Sequence, residues 1–188
     1  LGEIVAIGET QPLFESPRHP YTEALLESVP RAAIDERDRT VETLSGDVPS
    51  PRDPPSGCRF RTRCPSVIPP DGVDIDQEAY REVMDLRGLI ERGDLSVTKI
   101  WGHAGYETPP EDPDEAAVDA FVDAAVERTF DRPLSTAHRS SVDEAIASVA
   151  RDEWETEPLR EAFESICERE NPRLGNSDHP AACHLDGR

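Results

Sequence analysis

Four cysteines divide this chain more sharply than any run of apolar residues does. Cys58 and Cys64 form one pair and Cys167 and Cys183 a second, with 102 residues between Cys64 and Cys167. Charge follows the same division. Residues 1–70 carry 11 acidic and 8 basic side chains, residues 71–166 carry 25 against 9, and residues 167–188 carry 4 against 3. Most of the net charge of -20 therefore lies between the pairs. The pattern predicts an acidic insertion between two halves of one cysteine-bearing unit, and a fold that brings the flanks back together around it.

Leu, Ile, Val and Phe together supply 39 of the 188 residues, just above the level at which highly charged chains stop folding, so the core is expected to be thin. The basic residues are 19 Arg and a single lysine, Lys99. Arg is weakly hydrated and holds carboxylates bidentately, while carboxylates keep a surface hydrated when salt screens charge. An acidic, Lys-poor chain of this kind is expected in a high-salt cytoplasm. Bulk negative charge disfavours nucleic acid and anionic membranes as partners. No apolar run approaches the roughly 18–20 residues of a spanning helix and no signal-peptide pattern is present, which predicts a soluble chain with no direct membrane insertion.

Local patterns predict a mainly α fold with irregular Pro-rich segments. Ile4-Val-Ala-Ile7 is a β-branched run between glycines and reads as short N-terminal β-strands. Pro12 to Ser16 reads as one helical turn. Pro20 is pre-set for the first turn of a helix that places Tyr21, Ala24, Leu25 and Ser28 on one face and ends at Pro30. Residues 46–57 hold four prolines and read as an extended strap leading into Cys58. In the middle region, apolar spacing predicts a helix over Asp76–Glu91 and a second carrying Val118, Phe121, Val122, Ala125 and Val126. A third is expected to open on the Ser141/Glu144 capping-box spacing, and a fourth runs from about Glu157 to Glu168 and brings in Cys167.

Gly57-Cys-Arg-Phe-Arg-Thr-Arg-Cys-Pro65 is a C-x5-C unit, and Cys167 with Cys183 is a C-x15-C unit. Four cysteines in a cytosolic chain read as metal or cluster ligands more readily than as disulfides. Five intervening residues are loose for zinc, whose paired ligands usually stand two to four apart. A cubane iron–sulfur cluster takes four thiolates, and Arg59, Arg61 and Arg63 would partly offset its charge and lower the thiol pKa values. A four-cysteine cluster, a zinc site, and free or paired cysteines all remain open on the residues alone. His179 and His184 are spare ligand candidates with surface or capping roles as their plainer reading. There is no G-x-x-x-x-G-K-[ST], H-E-x-x-H, G-x-S-x-G or dinucleotide fingerprint, so no nucleotide or catalytic site assembles from these residues, and no enzymatic activity is expected of this chain by itself.

Taken together, the motifs carry a resemblance. Leu1-Gly-Glu-Ile-Val-Ala-Ile-Gly-Glu-Thr followed by Leu13-Phe-Glu-Ser-Pro-Arg-His-Pro-Tyr-Thr-Glu-Ala-Leu-Leu resembles the end of the ATPase domain in oligopeptide/dipeptide ABC-transporter ATP-binding subunits. Leu44-Ser-Gly-Asp-Val-Pro-Ser-Pro, the C-x5-C unit and His179-Pro-Ala-Ala-Cys-His-Leu185 resemble that family's C-terminal extension. The resemblance covers residues 1–66 and 164–188. It implies residues 1–43 as the tail of an ABC ATPase domain with short strands left from it, 44–70 as the Pro/Cys strap, 71–163 as the acidic helical insertion, and 164–188 as the closing motif of a small Cys-clipped extension. It further implies Cys58, Cys64, Cys167 and Cys183 as ligands of a [4Fe-4S] cluster, with zinc as the alternative. ATP and magnesium would enter only through an upstream domain. The implied partners are a second ABC ATPase subunit and the transporter's membrane subunits, at a cytoplasmic station peripheral to the membrane. The family's third cysteine usually lies within about a dozen residues of the second, so here the insertion must loop out and return. The competing expectation is a stand-alone zinc or iron–sulfur interaction module.

Overall fold

The structure, a computed structural model, describes residues 1–29, 44 and 48–186. Two units form, one from residues 1–68 with 165–188 and the other from residues 69–164.

In the first unit the β-branched run does not make the expected strands. Ile7 N–H donates to the Pro180 carbonyl at 3.1 Å and Ala182 N–H to the Val5 carbonyl at 2.8 Å, giving one isolated antiparallel bridge between Ala6 and Ala181. Among the described residues there is no β-strand. The pairing stops because Pro180 has no N–H to offer and the chain turns back at Cys183–Asp186, where Asp186 N–H donates to the Cys183 carbonyl at 3.1 Å. Two short helices follow the run, α1 (Thr10–Glu15) and α2 (Pro20–Glu27). The expected helix end at Pro30 and the first two residues of the expected strap, 46 and 47, lie outside the described residues. The proline strap from Val48 to Gly57 is irregular, and a single 3-10 turn spans Arg61–Arg63.

In the second unit all the regular elements are helices. α3 (Gln77–Arg92) is capped by Asp76, whose carboxylate accepts from Glu78 N–H at 3.0 Å, and it ends at Gly93 in the left-handed region. Its apolar spacing buries Tyr80, Val83, Leu86 and Ile90. α4 (Val97–His103) follows, then α5 (Glu115–Thr129), capped by Asp114 through Ala117 N–H at 2.9 Å. α6 (Thr136–Ala150) is capped by Ser135, not Ser141, which lies inside the helix. α7 (Glu157–Phe163) stops short of Cys167. α5 packs against α4 and α6, α6 against α7, and α3 against α7. Trp101 of α4 sits against Phe121 of α5 with ring centroids 4.6 Å apart, and Tyr80 Oη donates to the Phe163 carbonyl at 2.9 Å. Arginines bridge the acidic surface: Arg160 to Glu91 at 2.6 Å, Arg132 to Glu78 at 2.8 Å, and Arg139 to both Asp123 and Asp143. Such exposed pairs contribute little one by one, yet each reduces the repulsion among 25 carboxylates.

Back in the first unit, α8 (Ile166–Arg169) carries Cys167. Ser165 opens it with a capping box: its hydroxyl accepts from Cys167 N–H at 3.0 Å while Glu168 accepts from Ser165 N–H at 3.3 Å. The same hydroxyl donates to the Ile68 carbonyl at 2.6 Å. The last residue before the long excursion and the first residue after it are thus joined by a buried hydrogen bond.

Candidate metal centre

Each cysteine is placed by a local device. Gly57, at φ +62°, brings the first loop so close to α8 that Cys58 N–H donates to the Cys167 carbonyl at 2.8 Å. The 3-10 turn then returns Cys64: Arg61 N–H donates to the Cys58 carbonyl at 3.1 Å and Arg63 N–H to the Phe60 carbonyl at 2.9 Å. α8 fixes Cys167 through Ser165. The final turn fixes Cys183, with Asp186 accepting from Ala181 N–H at 2.9 Å and pairing with Arg18 at 3.3 Å.

The structure brings together all four cysteines that the sequence singled out. They line one cavity of about 10 Å³, along with His19 and His184. None is in a disulfide. Burial pushes the Cys58 and Cys183 thiols up and takes Cys64 to about 12, and the negative charge each thiolate would present to the others adds to the effect. Two of the three flanking arginines are engaged elsewhere: Arg59 pairs with Glu3 at 3.3 Å, and Arg61 faces Glu168 at 3.8 Å. His184 Nε2 lies 3.0 Å from the Glu170 carbonyl, a capping role. His179 packs its ring on Gly8, where an added Cβ would stand 2.6 Å from Cδ2.

Among the described residues, no three His, Cys, Asp or Glu side chains are grouped so as to hold one metal ion. Four thiols are the donor type that a cubane cluster uses, one to each iron. The cavity has room for about one water-sized centre, less than a cubane cluster occupies. Sequence reasoning missed His19. It is 1% exposed and its Nδ1 accepts from Tyr21 N–H at 3.0 Å, capping α2. The His19-Pro20 step was legible as a helix start, but nothing in the spacing placed it at the cysteines.

The raised thiols make a pH prediction. A thiol held neutral in the folded state contributes stability that is fully present below its unfolded pKa, near 9.0, and is lost as pH rises through the folded value. Urea denaturation between pH 9 and about 12 is therefore expected to show falling stability, and Cys64→Ala is expected to flatten that slope whatever it does to the absolute value. An unchanged slope would refute the buried-thiol geometry.

Residues 5–69 match the family model of the oligopeptide/dipeptide transporter C-terminal region, and residues 77–180 match that of a domain of unknown function, DUF8228. A putative peptide import ATP-binding protein of Brucella ovis is 46% identical over 83 residues, covering 44% of this chain and 25% of that protein. The oligopeptide transport ATP-binding protein OppF of Escherichia coli is 47% identical over 70 residues, covering 37% and 21%. The putative oligopeptide transport ATP-binding protein YkfD of Bacillus subtilis is 48% identical over 75 residues, covering 38% and 22%. The chain thus spans a quarter or less of the length of these relatives. No solved structure matches. The chain belongs to the DUF8228 domain family, and ahead of that domain it carries the C-terminal region of oligopeptide/dipeptide ABC-transporter ATP-binding subunits.

Proposed function

We propose that this chain is the structural and regulatory C-terminal part of the ATP-binding subunit of a peptide importer, and that Cys58, Cys64, Cys167 and Cys183 hold a [4Fe-4S] cluster which clips the extension shut. The observation that carries the reading is the convergence of four thiols, two from each side of the excursion, on one cavity. When bound, the cluster would supply cross-linking energy and an electron-accepting centre. The chain's own residues supply the rest. The Gly57–Cys58 backbone docks on α8, Ser165 holds Cys167 in register, and Asp186 holds the final turn.

In the intact subunit, ATP and magnesium are bound upstream, and the subunit works as an ABC-type ATPase against a second ATPase subunit and the membrane subunits, peripheral to the membrane. One feature supports an extension that rests on a larger body. The first unit leaves Ile4, Phe14, Leu25 and Val48 about half or more exposed. Among the described residues, no helix is long and apolar enough to cross a membrane.

Anaerobic preparation followed by iron, sulfide and zinc analysis tests the cluster. About four iron and four sulfide per chain are expected, with loss of both in any single Cys→Ser variant. Stoichiometric zinc without iron, or four titratable thiols and no metal, would sink it. The acidic unit is the salt-adapted part of the reading. Raising salt from about 0.1 to 1 M shortens the screening length from ~10 to ~3 Å. The melting temperature of the helices is expected to rise over that range, and a fall would count against salt adaptation.

A further inference from the structure

The third arginine of the cysteine loop, Arg63, stands in the wall of a second and larger cavity. Its neighbours along the loop are paired, Arg59 with Glu3 at 3.3 Å and Arg61 with Glu168 at 3.8 Å. Arg63 is half-buried, its Nε is shielded from solvent, and among the described residues that nitrogen makes no hydrogen bond. A guanidinium keeps its proton at any ordinary pH, so its burial is not relieved by neutralisation. A buried charged donor with no acceptor is costly, which favours an acceptor brought from outside the chain. The cavity measures about 480 Å³, inside the roughly 300–1,000 Å³ of small-molecule sites. Its other walls are largely apolar, with Ile4 from the N-terminal run, Tyr21 from α2, Val48 from the strap and Phe60 from the cysteine loop. Among the described residues the only carboxylate in the wall is that of Glu3, and it is already taken. The oxygen that faces Arg59 also accepts from Asn171 Nδ2 at 3.4 Å.

We propose that this cavity binds an amphipathic carboxylate, its anionic head on the Arg63 guanidinium and its apolar body against Ile4, Tyr21, Val48 and Phe60. The planar fork of an arginine matches the two oxygens of a carboxylate. One cation without a counter-charge selects a single anionic head. The apolar walls leave the polar groups of a sugar or a nucleotide without partners, and they give a bare inorganic anion nothing to pack on. Two sources share the chemistry, a free alkyl carboxylate and the last residue of a short apolar peptide. The proposal stands apart from the cluster reading, since it needs no metal. Because the N-terminal run, α2, the strap and the cysteine loop all meet around the cavity, an occupant holds these four segments of the first unit together.

The test is calorimetric titration of the full chain, wild type and Arg63→Gln, with octanoate, octanol and acetate. Octanoate is expected to bind wild type at one site per chain, about tenfold or more tighter than octanol, which has the chain without the charge. Acetate, which has the charge without the chain, is expected to bind far more weakly still. Arg63→Gln is expected to bind octanoate and octanol alike. Trileucine and its C-terminal amide separate the two sources: a preference for the free acid that exceeds that of octanoate over octanol assigns the site to peptide ends, and a smaller one assigns it to alkyl carboxylates. Octanoate bound no better than octanol, an unchanged preference in Arg63→Gln, or several octanoates per chain overturns the proposal. If Arg63→Gln does not fold, the octanoate and octanol comparison on wild type decides. Sedimentation is expected to show a monomer, and a dimer that octanoate fails to dissociate would mean that a second copy fills the cavity, which overturns the proposal as well.

Discussion

Gly57→Ala is expected to separate the two cysteine pairs. A Cβ built on Gly57 would stand 2.3 Å from the Cys167 carbonyl oxygen and 2.7 Å from that of Glu168, and both are backbone atoms that cannot turn aside. The residue also sits at φ +62°, which costs a side-chain-bearing residue about 1–2 kcal/mol before any overlap. Relief requires the loop to lift from α8, which breaks the 2.8 Å bond from Cys58 N–H to the Cys167 carbonyl. The combined loss should be on the order of 3–5 kcal/mol, at the severe end for a single substitution. Urea denaturation measures it, and a thiol reagent should find Cys58 and Cys167 far faster than in wild type. Gly93→Ala is the control. That glycine has a similar φ of +67° but nothing within 4 Å, so only the conformational part, about 1–2 kcal/mol, is expected. Equal losses at the two glycines would contradict the packing described here.

The second large effect is expected at Trp101. It is 1% exposed, packed edge-on to Tyr106 and tilted against Phe121, and carried by a helix of only seven residues. Trp101→Ala removes the side chain that attaches α4 to α5 and should cost about 3–5 kcal/mol. The unit also carries most of the chain's acidic side chains, whose repulsion works against it. At low salt the variant should lose much of its far-UV helical signal at ambient temperature, and molar salt should restore part of it by screening carboxylate repulsion. Trp101→Phe, which keeps an aromatic ring in place, should retain most of the stability. Wild-type melting in Trp101→Ala at both salt concentrations would mean that α4 is not part of the core.

How much of this was legible varies with the reach of the signal. α3 was readable because Asp76, the apolar spacing and Gly93 all act within one segment. α4 was not, since seven residues are too few for a period and Trp101 gains its meaning from Phe121, twenty positions away. Ser141 and Glu144 have capping-box spacing, but Ser135 lies a turn and a half earlier and takes the cap. The expected helix into Cys167 breaks because Ser165 and Glu168 form their own box inside it. The N-terminal run has the composition of a strand, yet the segment that returns to meet it brings a proline and a turn, so one bridge is all it can make. At the candidate site, the four cysteines announced themselves by residue type. His19 did not, because a histidine before a proline is ordinary until the cavity beside it is known.

The hydrogen bond from Ser165 to Ile68 carries a consequence for how the two units share stability. While the 96 residues from 69 to 164 are folded, the cysteine-bearing unit meets them as a short, closed detour. If they melt, the same detour becomes a long flexible loop, and closing it costs about 2–3 kcal/mol more than closing a loop of some five residues. That penalty falls on the joint that positions Cys167. The acidic helices can therefore act on the cysteines through the entropy of the chain that links the two pairs.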